Sequence, residues 1–367
     1  ALNFNSFANK IEHKVSMSLT RQVTTSRDDF DAVNTTTASR YNTNATRLKY
    51  EILNNFKFFE NHNLILGAEA ETEKAITNYY SEGMWGPYES NFPLQSKTNY
   101  AVFLQDQMKF INNLFITAGL RYDNFENYGN VITYRIAPAY LISQTNTKFK
   151  FTYGTGFKSP SLYYLLDPMF GNPDLKPEKS YGWDAGFEQY LFSDKITIGA
   201  TYFQNTFKDM IGFDAMYKAI NIDRAETKGL EVFIILKNNS NFEINTNYTY
   251  TIAMDKSLTS PDYDLSLLRR PKHKLVFSIN YKPIEILNTN LIVNYVGKRD
   301  DKDFSIYPSS RVELKNYTLI DISIGLEIIK NLELKTRVEN LFDTKYEEVL
   351  YYGTTGRSLY VGINFNL

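Results

Sequence analysis

One feature constrains this chain more than any other: apolar and polar residues alternate one by one through segment after segment. At the C-terminus Leu359, Val361, Ile363, Phe365 and Leu367 alternate with Ser358, Tyr360, Gly362, Asn364 and Asn366. Successive side chains of a strand leave on opposite faces, so each such segment presents one apolar and one polar face. Upstream, Leu332, Leu334 and Val338 alternate with Glu333, Lys335, Arg337 and Glu339. Four charges on one strand face need water and exclude a dry core there. The same pattern recurs in Ile320, Ile322, Ile324, Leu326 and Ile328, and in Leu275, Phe277, Ile279 and Tyr281.

The spacing between these segments alternates as well. Short polar turns are expected near Glu60 to His62, Ile111 to Asn113, Ser143 to Asn146, Ser193-Asp194 and Asn238 to Asn241. Longer loops are expected at 24–44, 78–95, 158–177, 255–270, 300–313 and 343–355. Short turns alternating with long loops are the habit of outer-membrane barrels, with turns on the periplasmic side and loops outside. The sequence therefore predicts an all-β fold, a transmembrane antiparallel β-barrel with about 16 visible strands of about 9–11 residues or more. A soluble sandwich would use strands of about five or six residues. A propeller would repeat every 40–50 residues or so. Neither pattern is present.

Composition narrows the chemistry. The 367 residues include no cysteine, which excludes disulfides, thiolate metal sites and cysteine nucleophiles. The three histidines, His13, His62 and His273, are far apart in sequence. A net charge of -1 offers no basic field for nucleic acid, and no nucleic-acid partner is expected. Aromatic residues make up 15% of the chain, as in barrels with interfacial girdles. The longest purely apolar runs, such as Val232 to Leu236, are far shorter than the roughly 20 residues of a helical span. Mean hydropathy is -0.38, as expected when only alternate residues meet lipid. No P-loop, zinc motif or nucleophile-base pattern is present, so an enzyme is not expected.

Several stretches, in order, resemble the barrel of TonB-dependent outer-membrane receptors. They are Asn99 to Gln107 with Ala118 to Asp123, Tyr153 to Pro160, Gly171 to Glu178, Lys228 to Glu231, Arg269 to Lys274, and Val338 to Tyr346 with Gly356-Arg357. The likeness runs from about residue 99 to 367, and the earlier third fits by pattern. Gly171 to Glu178 is read chiefly as loop punctuation that starts the next strand. Arg269 and Arg270 are read as rim charges. The segment from Tyr295 to Asp321, which includes Tyr307, is most similar to vitamin B12 (cobalamin) receptors. Haem receptors share some of these boxes, but no histidine lies between Phe157 and Leu175.

The resemblance implies a 22-stranded barrel enclosing a plug domain. Nothing in the sequence resembles the plug, so residues 1–367 are read as the C-terminal portion of such a barrel, a piece of a longer chain or a truncated product. The first strand, near Lys14 to Val23, and the last, Ser358 to Leu367, then each need a pairing partner. The implied function is active uptake of a scarce nutrient, cobalamin-like or siderophore-like, coupled to the TonB complex through the plug. The implied location is the outer membrane of a Gram-negative bacterium, crossed many times and surrounded by lipid. A passive 16-stranded porin-like channel is the alternative, and an outer-membrane barrel enzyme a more distant one.

Two sets of candidate site residues follow. Trp85, Tyr88 and Phe92 in the 78–95 loop, together with Tyr307, are candidates for gripping a bulky ligand through ring area and a polar tip; an interfacial belt is the equal alternative for the loop aromatics. Asp28, Asp29, Asp31 and Asn42 in the 24–44 loop are similar in placement to the calcium-holding loop of cobalamin receptors. Carboxylate and amide oxygens suit calcium; a solvated acidic loop is the plainer reading.

Overall fold

The computed structural model describes residues 1–367 except 32–34, 168, 215, 217, 239–240 and 366–367, and the side chains of 58, 59 and 223. Leu367, the last member of the C-terminal apolar series, lies outside the described residues. The described residues form antiparallel strands and one short helix. In order come β1 (Leu2–Ser6), β2 (Ile11–Asp28), β3 (Ala38–Phe59), β4 (His62–Gly83), β5 (Gly86–Phe110), β6 (Leu114–Phe125), β7 (Gly129–Ile142) and β8 (Thr147–Lys158). The helix α1 (Leu162–Leu166) precedes β9 (Glu178–Leu191), β10 (Ile196–Phe213), β11 (Ala219–Asn238) and β12 (Phe242–Asp255). Then follow β13 (His273–Ile284), β14 (Leu287–Val296), β15 (Arg299–Asp303), β16 (Ser310–Leu314), β17 (Tyr317–Ile329), β18 (Leu332–Glu339) and β19 (Ser358–Phe365).

Two compact units are distinguished. The first comprises residues 1–138, 153–181 and 207–224; the second comprises 139–152, 182–206 and 225–367. In the first, β1 to β6 pair sequentially as an antiparallel meander. Register sorts its side chains strictly. Met17, Leu19, Leu48, Tyr50, Tyr100, Val102, Leu104 and Leu120 fall on one face. Arg47, Lys49, Glu51, Glu69, Glu71, Glu73, Lys97, Asn99, Arg121 and Asp123 fall on the other. Such an apolar face left open over several strands is a lipid- or partner-facing surface, not the skin of an ordinary soluble domain.

The second unit repeats this division in a second meander, in which β11 to β14 and then β17 to β19 pair in succession. Leu359, Val361 and Ile363 stand opposite Val338, Thr336 and Leu334, which continue into Ile322, Ile324 and Leu326. Glu333, Lys335, Arg337 and Glu339 stand opposite Asn364, Gly362, Tyr360 and Ser358 on the other face. Neighbouring charges there are paired, Glu333 with Lys335 at 3.2 Å and Arg337 with Glu339 at 3.1 Å.

The structure has strand in three of the expected loops: 24–28 and 38–44 belong to β2 and β3, 300–313 carries most of β15 and β16, and the third departs furthest. The expected 78–95 loop is strand for nearly its whole length. Pairing runs on from Asn78↔Asn91 to Gly83↔Gly86, leaving only Met84 and Trp85 in the turn. Gly86 takes φ +88°, which the tight turn requires and side-chain-bearing residues avoid. β5 carries Pro87 and Pro93 within this stretch, and β6 meets β5 only from Asn99 onward. On that outer edge a missing N–H costs no ladder bond.

Candidate ligand-binding face

The first unit carries a cup above its charged wall. The segment 159–177 folds across the upper part of β5 and holds α1 there. Ser161 caps the helix by accepting from the Tyr164 N–H at 3.1 Å. Asp167 ends it, accepting from the backbone of Met169 and Phe170 at 2.9 and 2.8 Å. Beyond the helix, Asn172 donates to the Ala219 carbonyl at 2.8 Å, and Asn221 both accepts from the Lys176 N–H and donates to its carbonyl. Leu165, Leu175 and Ala219 are fully buried together. A Cβ on Gly171 would meet the Asp167 backbone N and O at 2.5 Å. The Gly171 to Glu178 motif therefore shapes the segment and launches β9 at Glu178.

Electrostatics bind this segment to the wall. Lys97, 7% exposed, places its Nζ 3.0 Å from Glu73, 2.8 Å from the Ser159 hydroxyl and 2.9 Å from the Pro160 carbonyl. Arg47 donates from Nε and Nη2 to the same Glu73 carboxylate at 3.1 and 2.7 Å. Lower down, Glu69 accepts from Lys49 at 2.9 Å and Arg121 at 2.7 Å. Arg121 also reaches the buried Asp123 at 2.8 Å. Each charge thus has an opposite partner, which is what a partly desolvated wall demands. Above it lies a cavity of about 380 Å³, bordered by Thr20, Gln22, Tyr41, Thr43, Arg47, Glu73, Thr77, Phe92, Ser161 and Tyr163 among others. Burial pushes the Tyr163 hydroxyl above its ordinary pKa, with the Asp167 charge adding to it.

The predicted ligand contacts are dispersed. Trp85 is 97% exposed at the β4–β5 turn. Tyr88 packs 6.3 Å from Tyr79, and its hydroxyl lies 3.8 Å from the Met169 sulfur. Phe92 is 3% exposed, its ring 6.1 Å from Tyr163. It is a floor under α1 and not a free gripping surface, because the folded segment covers it. Tyr307 is fully exposed at the bend between β15 and β16.

The calcium candidates are not brought together as a set. Asp28 faces Ser39 across the β2–β3 ladder and Asn42 faces Thr25. Ser39 and Asn42 are an odd number of positions apart, so Asp28 and Asn42 project to opposite faces. Asp29 pairs with Arg27 at 2.6 Å. Among the described residues no group of three His, Cys, Asp or Glu side chains is gathered for a metal ion.

The second unit ties three connections into one knot. Asp301, fully buried, accepts from Arg269 Nε at 2.9 Å and from the backbone N–H groups of Lys302 and Leu350 at 2.8 Å each. Asp262 meets Lys302 at 2.7 Å and Arg311 at 3.4 Å, while Arg311 also holds Asp300 at 2.9 Å. Arg299 donates to the carbonyls of Glu347 and Lys315 and lies 5.2 Å from the Tyr317 ring centroid. The rim reading of Arg269 is thereby sharpened: its charge is spent internally, on Asp301.

A family model described as TonB dependent receptor-like, beta-barrel, matches residues 1–341. The chain belongs to the TonB-dependent receptor β-barrel family. It is an outer-membrane protein of Gram-negative type, and one face of its strands is apolar as in such barrels. Solved structures agree in fold. The ferripyoverdine receptor of the outer membrane of Pseudomonas aeruginosa matches at 15% identity and TM-score 0.77, over 98% of this chain and 54% of that one. The ferric yersiniabactin uptake receptor of Yersinia pestis matches at 15% and 0.77, over 98% and 58%. The copper transporter OprC matches at 16% and 0.77, over 97% and 62%. This TonB-dependent receptor barrel thus spans between half and two thirds of the structures it matches. Sequence reasoning missed Arg47, Glu73, Lys97, Tyr41 and Tyr163. The signal for Arg47 and Glu73 was the alternation of charges in 47–51 and 69–73, the same rule that located β18.

Proposed function

We propose that this chain forms the barrel wall and outer loops of a receptor that takes up a scarce, bulky nutrient chelate, cobalamin-like or siderophore-like, with energy coupled from TonB through a plug domain. The observation that carries the reading is the cup: a roofed cavity with aromatic and hydroxyl walls, standing on a fully paired charged wall. A segment folded across β5 and pinned by the buried Lys97 supports a receptor over a bare pore. Trp85, Tyr88 and Tyr307 supply exposed outer contacts, and Phe92 acts through Tyr163.

Growth tests it. A strain lacking the receptor, complemented with the full-length gene, should regain growth on limiting ferric chelate or cobalamin only when TonB is functional. Growth on neither would overturn the reading. A steady, unselective ion conductance independent of TonB would instead support the porin-like alternative.

A further inference from the structure

We infer that the cup beneath α1 accepts an electroneutral, amide- or hydroxyl-bearing part of the chelate and discriminates against a multiply anionic one. The inference rests on the uptake reading above and deepens it. Its basis is the balance of charge in the lining. Arg47 is the β3 cation that borders the cavity, and both Nε and Nη2 are turned to Glu73, with Glu71 at 3.6 Å. Lys97 is turned to the same Glu73. Thr46 and Lys74 also border the cavity. They pair with each other at even positions, so their side chains leave on the opposite, apolar face. Two cations and two carboxylates therefore cancel around the cup.

What remains to meet a ligand is neutral. Thr20 and Gln22 stand on β2, opposite Arg47 and Ala45. The Thr43 and Thr77 hydroxyls lie 2.9 Å apart. Tyr41 and Tyr163 add ring faces with hydroxyls at their tips. Hydroxyls and a carboxamide both donate and accept, which matches amide, hydroxamate or alcohol groups. The rings take the apolar side of a cyclic ligand. A multiply charged anion would lose its hydration and find no unspent cation, while the Glu73 carboxylate repels it. The volume of about 380 Å³ lies at the small end for ligand sites, so a portion of a bulky chelate enters and not the whole.

The test is equilibrium binding to the full chain in detergent with three probes: a neutral ferric trihydroxamate, cyanocobalamin and a trianionic ferric tris-catecholate. At least one neutral probe should bind about tenfold or more tighter than the trianion. Gln22→Ala and Tyr41→Ala, both at exposed rim positions, should each weaken that neutral probe by about fivefold or more. Thr20→Lys adds one unpaired cation and should bring the trianion about tenfold closer to the neutral probe. Heat-shifted gel mobility checks that each variant is folded. Equal or tighter binding of the trianion would overturn the inference and leave the uptake reading standing. Neutral binding unaffected by Gln22→Ala and Tyr41→Ala would also overturn it. Binding of none of the three overturns it too, and the growth assay then judges uptake on its own.

Discussion

The Lys97 ammonium stands 3.0 Å from the Glu73 carboxylate and, on its other side, 2.8 Å from the Ser159 hydroxyl. One side chain thus joins the strand wall to the segment that roofs the cup. Lys97→Met should loosen that segment by about 2 kcal/mol, because the Ser159 hydroxyl and the Pro160 carbonyl lose their charged donor. Limited proteolysis between residues 159 and 177 should speed up on the order of thirtyfold. An unchanged cleavage rate would mean the roof is held by its own core alone.

Gly171 offers an independent handle on the same segment. An alanine there would drive its Cβ into the Asp167 backbone. Gly171→Ala should therefore break the turn after α1 and abolish slow amide exchange at Asn172, whose N–H donates to the Tyr164 carbonyl at 2.7 Å. Protection retained at Asn172 would show that the turn adjusts.

The loop knot of the second unit should be acid-sensitive. Burial works to raise the Asp301 pKa, but the N–H groups of Leu350 and Lys302 and the Arg269 guanidinium outweigh it and hold the carboxyl below its ordinary value. A depressed folded pKa gives stability that is complete well above the unfolded value of about 3.9 and is lost as pH falls through the folded one. Asp262 and Asp303 shift the same way and share the window. Amide protection in 343–355, taken relative to the free-peptide rate at each pH, should thus be high at neutral pH and fall below about pH 4. In Asp301→Asn it should already be low at neutral pH. High protection in that variant would remove Asp301 from the knot.

The two faces of β19 should respond oppositely to charge. Ile363→Arg places a cation on the apolar face, at a cost of about 2–4 kcal/mol if it lies near mid-bilayer. Asn364→Arg, one residue on, faces Glu333 and should be tolerated. The folded fraction in outer membranes, read by heat-shifted mobility, should fall for the first and hold for the second. Equal yields would contradict the assigned lipid face.

The alternation that opened the sequence is a local property, which is why the faces of β17, β18 and β19 and the position of the 158–177 segment could be read from residues alone. A strand's period needs no partner to be visible. Phe92 shows where such reading stops. It was expected as a gripping ring because 78–95 reads as an aromatic-rich loop, yet strand pairing continues through most of it and α1 covers the ring. The calcium set shows the same limit, since the register of β2 against β3 decides which face Asn42 takes.

By itself, then, the sequence determined an antiparallel strand protein with one lipid-compatible and one wet face, because period two is written residue by residue. Only the tertiary structure decided which charges answer one another. Lys49 meets Glu69, Arg121 meets Glu69 across 52 positions, and Lys97 meets Ser159 across 62. Those encounters depend on strand register and on how a connection folds back. Neither is local, so the balanced cup that carries the functional reading emerges only when the strands are aligned.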